Sequence, residues 1–292
     1  MDQKKVLVLF GPTACGKSSL AIKISENVKS TIINADSIQV YRDLRILTSR
    51  PSEDDERRTS HKLYGIINGE DSFSVASWLE LATKEILSSW NQGKLPILVG
   101  GTGMYLKSLM EGISDIPSIP KSIKLETEKE LKKNGLKQLY NQLLEFNQET
   151  KINKHDTQRV VRAFNVLKST GRSIEEWQKE NKKALDDIYF EIFIPPFDRE
   201  ELYKRSEDRF DQMLINGAVQ EVRDLMDLNL DCNYSIMKAI GVREIRKYLE
   251  DEISEDECTT LSKKNTRNYI KRQLTWIRGN NITSNIDIKK YI

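Results

Sequence analysis

Short, mostly apolar runs alternate along this chain with segments of helical periodicity. The runs at 6–10, 31–34 and 95–99 have the length of strands, and runs of this kind predict buried strands. Residues 74–87 place apolar side chains three or four positions apart, which predicts an amphipathic helix. A further strand is expected at 191–194. Because each helical crossover returns the chain in the same direction, we expect an α/β fold with a parallel sheet flanked by helices.

The first run leads directly into a loop with the spacing Gly-x-x-x-x-Gly-Lys-Ser, followed by a helical pattern at 19–26. This order of strand, loop and helix is the context that a P-loop requires. Backbone N–H groups and the positive helix end would wrap an anion, with Lys17 adding charge and Ser18 giving an oxygen to Mg²⁺. The predicted diphosphate-binding residues are Gly11, Pro12, Thr13, Ala14, Cys15, Gly16, Lys17 and Ser18.

Two more polar residues follow the ends of predicted strands. Asp36 comes soon after the run at 31–34, and Thr102 follows the run at 95–99. Since ligands bind outside the carboxyl ends of parallel strands, we expect both residues to converge with the P-loop on one crevice. Asp36 would hold magnesium through water or take a proton from a nucleophile beside the phosphates. The simpler alternative is that Asp36 caps a helix beginning at Ser37.

The pattern changes near residue 111, where two Ile-Pro pairs precede Lys/Glu-rich helical segments without strand signals. We therefore predict a P-loop core at 1–112, a helical insertion domain at 113–187, and a return to the core with basic C-terminal helices at 188–292.

One helix of the predicted insertion carries two arginines. Asp156 or Thr157 would cap its start and Gly171 would end it. Arg159 and Arg162 are three residues apart, so they would share a face of this helix.

Charge is nearly balanced over the chain, with a formal net charge of +2. It is uneven locally, because residues 259–292 contain eight Lys or Arg and only one acid, Asp287. The first interpretation of such a segment is a solvated helix face, and the second is a surface that contacts a polyanion.

The remaining composition excludes several classes of protein. Cys15, Cys232 and Cys258 are widely spaced, which argues against a disulfide framework or a zinc site. We expect no membrane contact, since no signal-peptide core and no apolar window of membrane-spanning length is present. A cytoplasmic protein is therefore the default expectation. A monomer is the default as well, since the sequence gives no clear oligomer signal. The strand at 95–99 ends in Gly-Gly-Thr rather than at an acidic residue, which weakens a motor or GTPase interpretation.

Eight motifs, in order, resemble those of the bacterial tRNA dimethylallyltransferases. They are the P-loop at 11–18, Asp36-Ser37 with Gln39-Val40-Tyr41, the segment 48–51, Leu98 to Tyr105, Asp156 to Arg162, Asp198-Arg199 with Arg209, Ala239 to Glu244, and Lys271 to Arg278. Each motif is weak alone, whereas eight in order are specific.

The resemblance implies a P-loop NTPase-like fold and a prenyl transfer reaction. The dimethylallyl group of dimethylallyl diphosphate would pass to N6 of the adenosine just 3′ of the tRNA anticodon, adenosine 37. The products would be N6-isopentenyladenosine and diphosphate, with Mg²⁺ as cofactor and the anticodon stem-loop as macromolecular partner. The target base would leave its stack to reach a buried site.

The resemblance also implies roles for particular residues. Asp36 would be the general base, Lys17 and Arg209 would stabilise the departing diphosphate, and Thr102 would contact the adenosine. The expected tRNA-contacting residues are Asp36, Ser37, Ile38, Gln39, Thr102, Lys124, Gln158, Arg159, Val160, Val161, Arg162, Lys238, Arg243, Lys271 and Arg272.

Four positions depart from the family pattern. Cys15 replaces a common Ser, Arg50 a Lys and Val242 a Tyr, while Ile123 stands where an Arg is usual. The adjacent Lys124 is the expected substitute for that arginine.

Three alternatives remain at this point. A related isopentenyltransferase could act on a free adenine nucleotide, and a P-loop kinase could act on a small molecule. A module that binds RNA or senses a nucleotide would need no turnover. Transfer of a labelled prenyl group to AMP alone would identify the first alternative, and ATP consumption would identify the kinase. A binding module would be identified by a function that Asp36→Ala leaves unchanged.

Overall fold

The computed structural model describes residues 4–292. The chain forms two compact units: one combines the chain up to Met110 with Ala184–Ile292, and the other is Glu111–Lys183.

The first unit is built on a five-stranded, wholly parallel sheet with the strand order β3-β2-β4-β1-β5. The strands are β1 (Lys5–Phe10), β2 (Ser30–Asn34), β3 (His61–Lys62), β4 (Leu95–Gly100) and β5 (Tyr189–Phe193). The predicted α/β class with a parallel sheet is confirmed. The sequence prediction missed β3, because two residues are too few to show a periodic pattern.

Apolar runs become strands here because the sheet is covered on both faces. Every residue of β2 and β4 is buried, and so is every residue of β1 after Lys5. Parallel strands buried on both sides have this continuous apolar character.

Eleven α-helices occur within residues 4–292. They are α1 (Lys17–Asn27), α2 (Glu53–Arg58), α3 (Val75–Asn91), α4 (Gly103–Glu111), α5 (Lys121–Phe146), α6 (Thr157–Thr170), α7 (Ile174–Gln178), α8 (Arg199–Ile215), α9 (Ala218–Asp227), α10 (Val242–Leu249) and α11 (Glu255–Gly279). Two short 3₁₀ helices lie at Ile236–Lys238 and Ile288–Tyr291. None of the described helices is both long and apolar enough to cross a lipid bilayer.

A second apolar cluster of the first unit lies away from the sheet. It joins the segment after β2 to helices α8, α9 and α10 through buried residues that include Tyr41, Leu44, Phe210, Val222 and Ile245. This cluster supports the segment 38–49, which lines the site described below.

The second unit is helical. Helices α5 and α6 pack through Leu139, Leu143 and Phe164, which are buried. As predicted, Asp156 caps α6 by accepting a hydrogen bond from the Arg159 N–H, and Gly171 ends the helix in the left-handed conformation.

Candidate active site

The loop between β1 and α1 has the geometry of an anion site. Gly16 precedes the helix with φ = 86°, and no side chain caps the first turn of α1. The N–H groups of this turn are therefore available to a ligand at the positive end of the helix dipole.

The Lys17 ammonium is folded onto the loop that carries it. Its Nζ donates to the carbonyl oxygens of Gly11 (2.9 Å) and Pro12 (2.6 Å) and lies 3.7 Å from Cys15 Sγ. Burial lowers the pKa of Lys17, while the nearby Cys15 and Asp36 side chains oppose that shift. A diphosphate beside this lysine would favour its charged form.

The predicted phosphate-binding residues divide into two groups. A cavity of about 340 Å³, called the phosphate cavity after this prediction, is lined by Thr13, Ala14, Gly16, Lys17 and Ser18. Gly11, Pro12 and Cys15 are buried beneath them.

Cys15 packs in an apolar cluster with Leu202 of α8 and Ile270 of α11. A thiol suits this environment, which accounts for cysteine where a serine was expected.

Asp36 lies just after β2 and lines the same cavity. Its Oδ1 accepts hydrogen bonds from the N–H groups of Ile38 (2.9 Å) and Gln39 (3.4 Å). No helix begins at Ser37, because the residues after Asp36 form a bend followed by a turn. The helix-cap alternative is therefore wrong, although the carboxylate does cap a turn. The bonds fall on Oδ1, so Oδ2 remains available to a ligand.

The backbone of Asp36 is held by Asn34, which is completely buried. The Asn34 Oδ1 accepts from the Asp36 N–H (2.8 Å), and its Nδ2 donates to the carbonyl oxygens of Asp36 (3.0 Å) and Leu63 (3.0 Å). The indole N–H of Trp78 donates to the Asn34 carbonyl oxygen (2.8 Å). Sequence reasoning missed this residue; its signal was a polar residue closing an apolar strand.

Thr102 forms hydrogen bonds with Ser37, the residue after Asp36. Its Oγ1 accepts from the Ser37 N–H (3.0 Å) and donates to Ser37 Oγ (3.4 Å). Thr102 does not line either of the two cavities of this site, and its expected contact with the adenosine stays a prediction.

A second cavity, of about 310 Å³, adjoins the phosphate cavity. Five residues line both of them: Thr13, Asp36, Thr48, Ser49 and Arg209. Asp36 therefore stands at the junction between the cavity at the P-loop and the second cavity.

The second cavity has an apolar wall and a polar, basic side. The wall is formed by Ile38, Leu47, Phe210, Met213, Ala239 and Ile240, and the basic side by Lys238 and Arg272. Tyr269 also lines this cavity, with the Arg272 guanidinium 5.6 Å from its ring centre. Burial raises the pKa of Tyr269, so its hydroxyl stays neutral. Trp276 of α11 packs edge-on against Phe10 and does not line this cavity.

Arg209 connects α8 to the P-loop. Its guanidinium donates to Thr13 Oγ1, and its Nε is buried without a hydrogen-bond partner among residues 4–292. Burial lowers its pKa, and the Asp36 carboxylate opposes that shift. Arg205, one turn earlier on α8, lines the phosphate cavity and pairs with Glu201. Sequence reasoning missed Arg205, although its spacing of four from Arg209 was visible.

Glu221 of α9 organises the segment that carries Thr48 and Ser49. Its carboxylate accepts hydrogen bonds from three successive N–H groups, those of Arg45 (2.5 Å), Ile46 (2.7 Å) and Leu47 (2.9 Å). No sequence signal identified this contact, because its partners are more than 170 residues apart.

The predicted tRNA-contacting residues fall in both units. In the first unit Ser37, Ile38 and Gln39 are half-buried, and Gln39 Nε2 donates to the carbonyl oxygens of Thr48 (2.7 Å) and Ser49 (3.1 Å). The basic residues predicted to contact tRNA in that unit are exposed: Lys238, Arg243, Lys271 and Arg272.

In the second unit, Lys124, Gln158, Arg159 and Arg162 are exposed, and Val161 is half-buried. Val160 is completely buried in the core of this unit. Its side chain is therefore a packing residue and is not presented to a ligand.

The other family departures have local explanations. Arg50 donates to the carbonyl oxygens of Tyr41 (3.2 Å) and Arg42 (3.1 Å). Val242 is fully buried against the α8–α10 cluster, and Ile123 is half-buried on α5.

The site suits a magnesium ion bound chiefly through a substrate. Among the described residues no group of three or more His, Cys, Asp or Glu side chains is arranged to hold a metal. The exposed Ser18 hydroxyl and the Asp36 carboxylate line one cavity. Oxygen ligands in this number match Mg²⁺, which takes one or two protein ligands together with phosphate oxygens.

The fold and the site together define a P-loop protein of the α/β class. Comparison with known proteins gives the family. A family model described as IPP transferase matches residues 39–280. A tRNA dimethylallyltransferase from Pelagibacter ubique is 40% identical over 278 residues, which cover 94% of this chain and 89% of that protein.

Solved structures agree with that match. A tRNA delta(2)-isopentenylpyrophosphate transferase from Staphylococcus epidermidis is 28% identical with a TM-score of 0.66, covering 99% of this chain and 94% of that one. A eukaryotic dimethylallyltransferase acting on tRNA is 29% identical with a TM-score of 0.78, covering 94% and 70%. The chain belongs to the IPP transferase family, as its eight motifs predicted.

Proposed function

We propose that this protein transfers the dimethylallyl group of dimethylallyl diphosphate to N6 of adenosine 37 in tRNA. The observation that carries the proposal is the place of Asp36, which lines both the P-loop cavity and the adjoining apolar cavity. A phosphorylated donor in one compartment and a base in the other would meet at this carboxylate. The names of the relatives support the same reaction.

The donor's diphosphate occupies the P-loop compartment. As the bond between C1 and the bridging oxygen breaks, negative charge moves to the diphosphate and positive character develops on the allylic carbon. Lys17, the amides at the start of α1, and Arg209 stabilise the departing anion. The Ser18 hydroxyl would hold Mg²⁺, and the ion would supply positive charge that stabilises the departing diphosphate.

The acceptor amine needs a base, because its lone pair is delocalised into the adenine ring. N6 forms a bond to C1 and loses one proton as the diphosphate leaves. The Asp36 carboxylate takes that proton, with Oδ1 held by the turn and Oδ2 facing the substrate. The adenosine reaches this position out of its stack, and the apolar wall of the second cavity excludes water from the allylic group.

The tRNA is bound by exposed basic residues on both units. In the first unit these are Lys238, Arg243, Lys271 and Arg272, and in the helical unit Lys124, Arg159 and Arg162, with Gln158 beside them. Phosphate contacts of this kind supply affinity that falls with salt. The helical unit is thus a tRNA-contacting domain. Residues of one chain line both compartments, so no second copy is needed to complete the site, and we propose a monomer that acts in the cytoplasm.

Product analysis tests this proposal. Purified protein is incubated with dimethylallyl diphosphate, Mg²⁺ and an anticodon stem-loop RNA, and the digested nucleosides are examined by mass spectrometry. We expect N6-isopentenyladenosine at position 37 and none when guanosine replaces that adenosine. Modification of AMP but not RNA would support an enzyme for free nucleotides, and ATP consumption without prenyl transfer would support a kinase. Either result would overturn the proposal.

A further inference from the structure

A buried amide links the C-terminal helix α11 to two loops of the site. Gln273 is only 7% exposed. Its Oε1 accepts a hydrogen bond from the Thr13 N–H (2.9 Å), and its Nε2 donates to the Gly101 carbonyl oxygen (3.2 Å). Gln273 also lines the phosphate cavity. Both ends of the amide are therefore used, one on the P-loop and one on the loop after β4.

The contact with Thr13 changes what the P-loop offers a ligand. A P-loop normally turns its N–H groups toward the phosphates, but the Thr13 N–H is already engaged by Gln273. Thr13 in turn accepts a hydrogen bond from Arg209 through Oγ1. Gln273, Thr13 and Arg209 thus form a connected chain that ends at the arginine beside the departing diphosphate.

The glycines of the loop after β4 provide independent support for this docking. A Cβ on Gly101 would lie 2.2 Å from Gln273 Nε2 and 2.8 Å from the Gly11 carbonyl oxygen. A Cβ on Gly103 would lie 2.2 Å from the Trp276 ring. Two successive turns of α11 therefore rest directly against this loop, and only glycine allows so close an approach.

The same helix also faces the second cavity. Tyr269 and Arg272 of α11 line that cavity, and Lys271 is exposed one residue earlier than Arg272. One rigid element therefore carries both proposed tRNA contacts and the anchor of the P-loop.

We propose that Gln273 is a positioning residue: it holds Thr13, and through Thr13 the Arg209 guanidinium, in the geometry that binds diphosphate. It acts through these neighbours and forms no bond to the reacting atoms. The expected effect of Gln273 on turnover rests on the proposed function. The expected effect of Gln273 on diphosphate binding does not, because it is independent of the acceptor.

The test replaces Gln273 with methionine, which has similar length but cannot make either hydrogen bond. The matched control is Gln220→Met, the same change at an exposed position on α9. For each protein we measure the dissociation constant of inorganic pyrophosphate with Mg²⁺, the affinity for the stem-loop RNA, and kcat and KM for dimethylallyl diphosphate.

For Gln273→Met we expect pyrophosphate affinity to fall about tenfold and kcat/KM about ten- to a hundredfold, since a small misplacement has effects of this size. RNA affinity should stay within about twofold, and the control should match the wild type. Wild-type pyrophosphate affinity and kcat/KM in a folded Gln273→Met would overturn the proposal, and so would loss of RNA binding alone. If the wild type prenylates no RNA, the proposed function fails while the pyrophosphate measurement still tests Gln273.

Hydrogen exchange on the wild type gives a second test that needs no variant. The Thr13 amide should be protected with and without pyrophosphate, because its partner is Gln273. The amides of Lys17 and Ser18 should gain protection only when pyrophosphate is added. A Thr13 amide that exchanges freely until pyrophosphate binds would contradict the proposal.

Discussion

Asn34→Leu is the substitution that most directly tests how the proposed base is held. Leucine has a similar size but removes three hydrogen bonds, to the Asp36 N–H, the Asp36 carbonyl oxygen and the buried Leu63 carbonyl oxygen. Each lost bond costs about 1 kcal/mol, and an unsatisfied buried group costs about 1–3 kcal/mol. Leucine recovers part of this through burial of apolar surface.

We therefore expect unfolding free energy to fall by about 3 kcal/mol. For a unit of this size roughly 1 kcal/mol corresponds to about 2 °C in melting temperature, so Tm should fall by about 6 °C. The larger effect should be on turnover, because the Asp36 carboxylate loses its fixed position. Single-turnover prenyl transfer, measured well below the Tm of the variant, should slow about tenfold or more.

The control is Asn165→Leu, the same change at a buried asparagine of the helical unit. The Oδ1 of Asn165 has no hydrogen-bond partner among residues 4–292, so its loss should cost little and leave turnover unchanged. A folded Asn34→Leu protein that reacts at the wild-type rate would refute the view that this buried amide positions Asp36.

Three further predictions concern the loop, the lysine and the helical unit. Glu221→Gln removes the charge from the carboxylate that accepts hydrogen bonds from three N–H groups. In urea titrations the unfolding free energy should fall by about 1–3 kcal/mol, and an unchanged urea midpoint of unfolding would contradict this. Burial lowers the pKa of Lys17, so pyrophosphate affinity should fall as pH rises toward that lowered value. Lys17→Met should bind more weakly, without that component of the pH dependence, and an identical profile in both proteins would sink the assignment. Leu139→Ala should destabilise the helical unit by about 2–5 kcal/mol, weakening RNA binding but not pyrophosphate binding.

The sheet was predictable because its strands are local apolar runs that end at recognisable loops. Residues 6–10, 31–34 and 95–99 match β1, β2 and β4 closely. Of the polar residues that follow them, Asp36 lines the P-loop cavity, whereas Thr102 bonds to the neighbouring Ser37. The family followed from motif order.

The supporting contacts were not predictable, because they join residues far apart in sequence. Asn34 reaches Leu63, Glu221 reaches Arg45, and Gln273 reaches Thr13 across 260 positions. Val160 entered the set of expected tRNA contacts with the whole motif Asp156 to Arg162. Such a motif includes every residue of a helical turn, and Val160 is the one that faces the core.

The rate of a single turnover by Asp36→Asn tests the central claim most directly. Asparagine keeps an oxygen for the N–H groups of Ile38 and Gln39, so the turn and both binding compartments should persist. We expect pyrophosphate and stem-loop affinities within a few-fold of the wild type, and prenyl transfer about 10²- to 10⁴-fold slower, the usual contribution of a general base. Transfer at close to the wild-type rate with both substrates bound would show that the proton leaves the adenosine by another route.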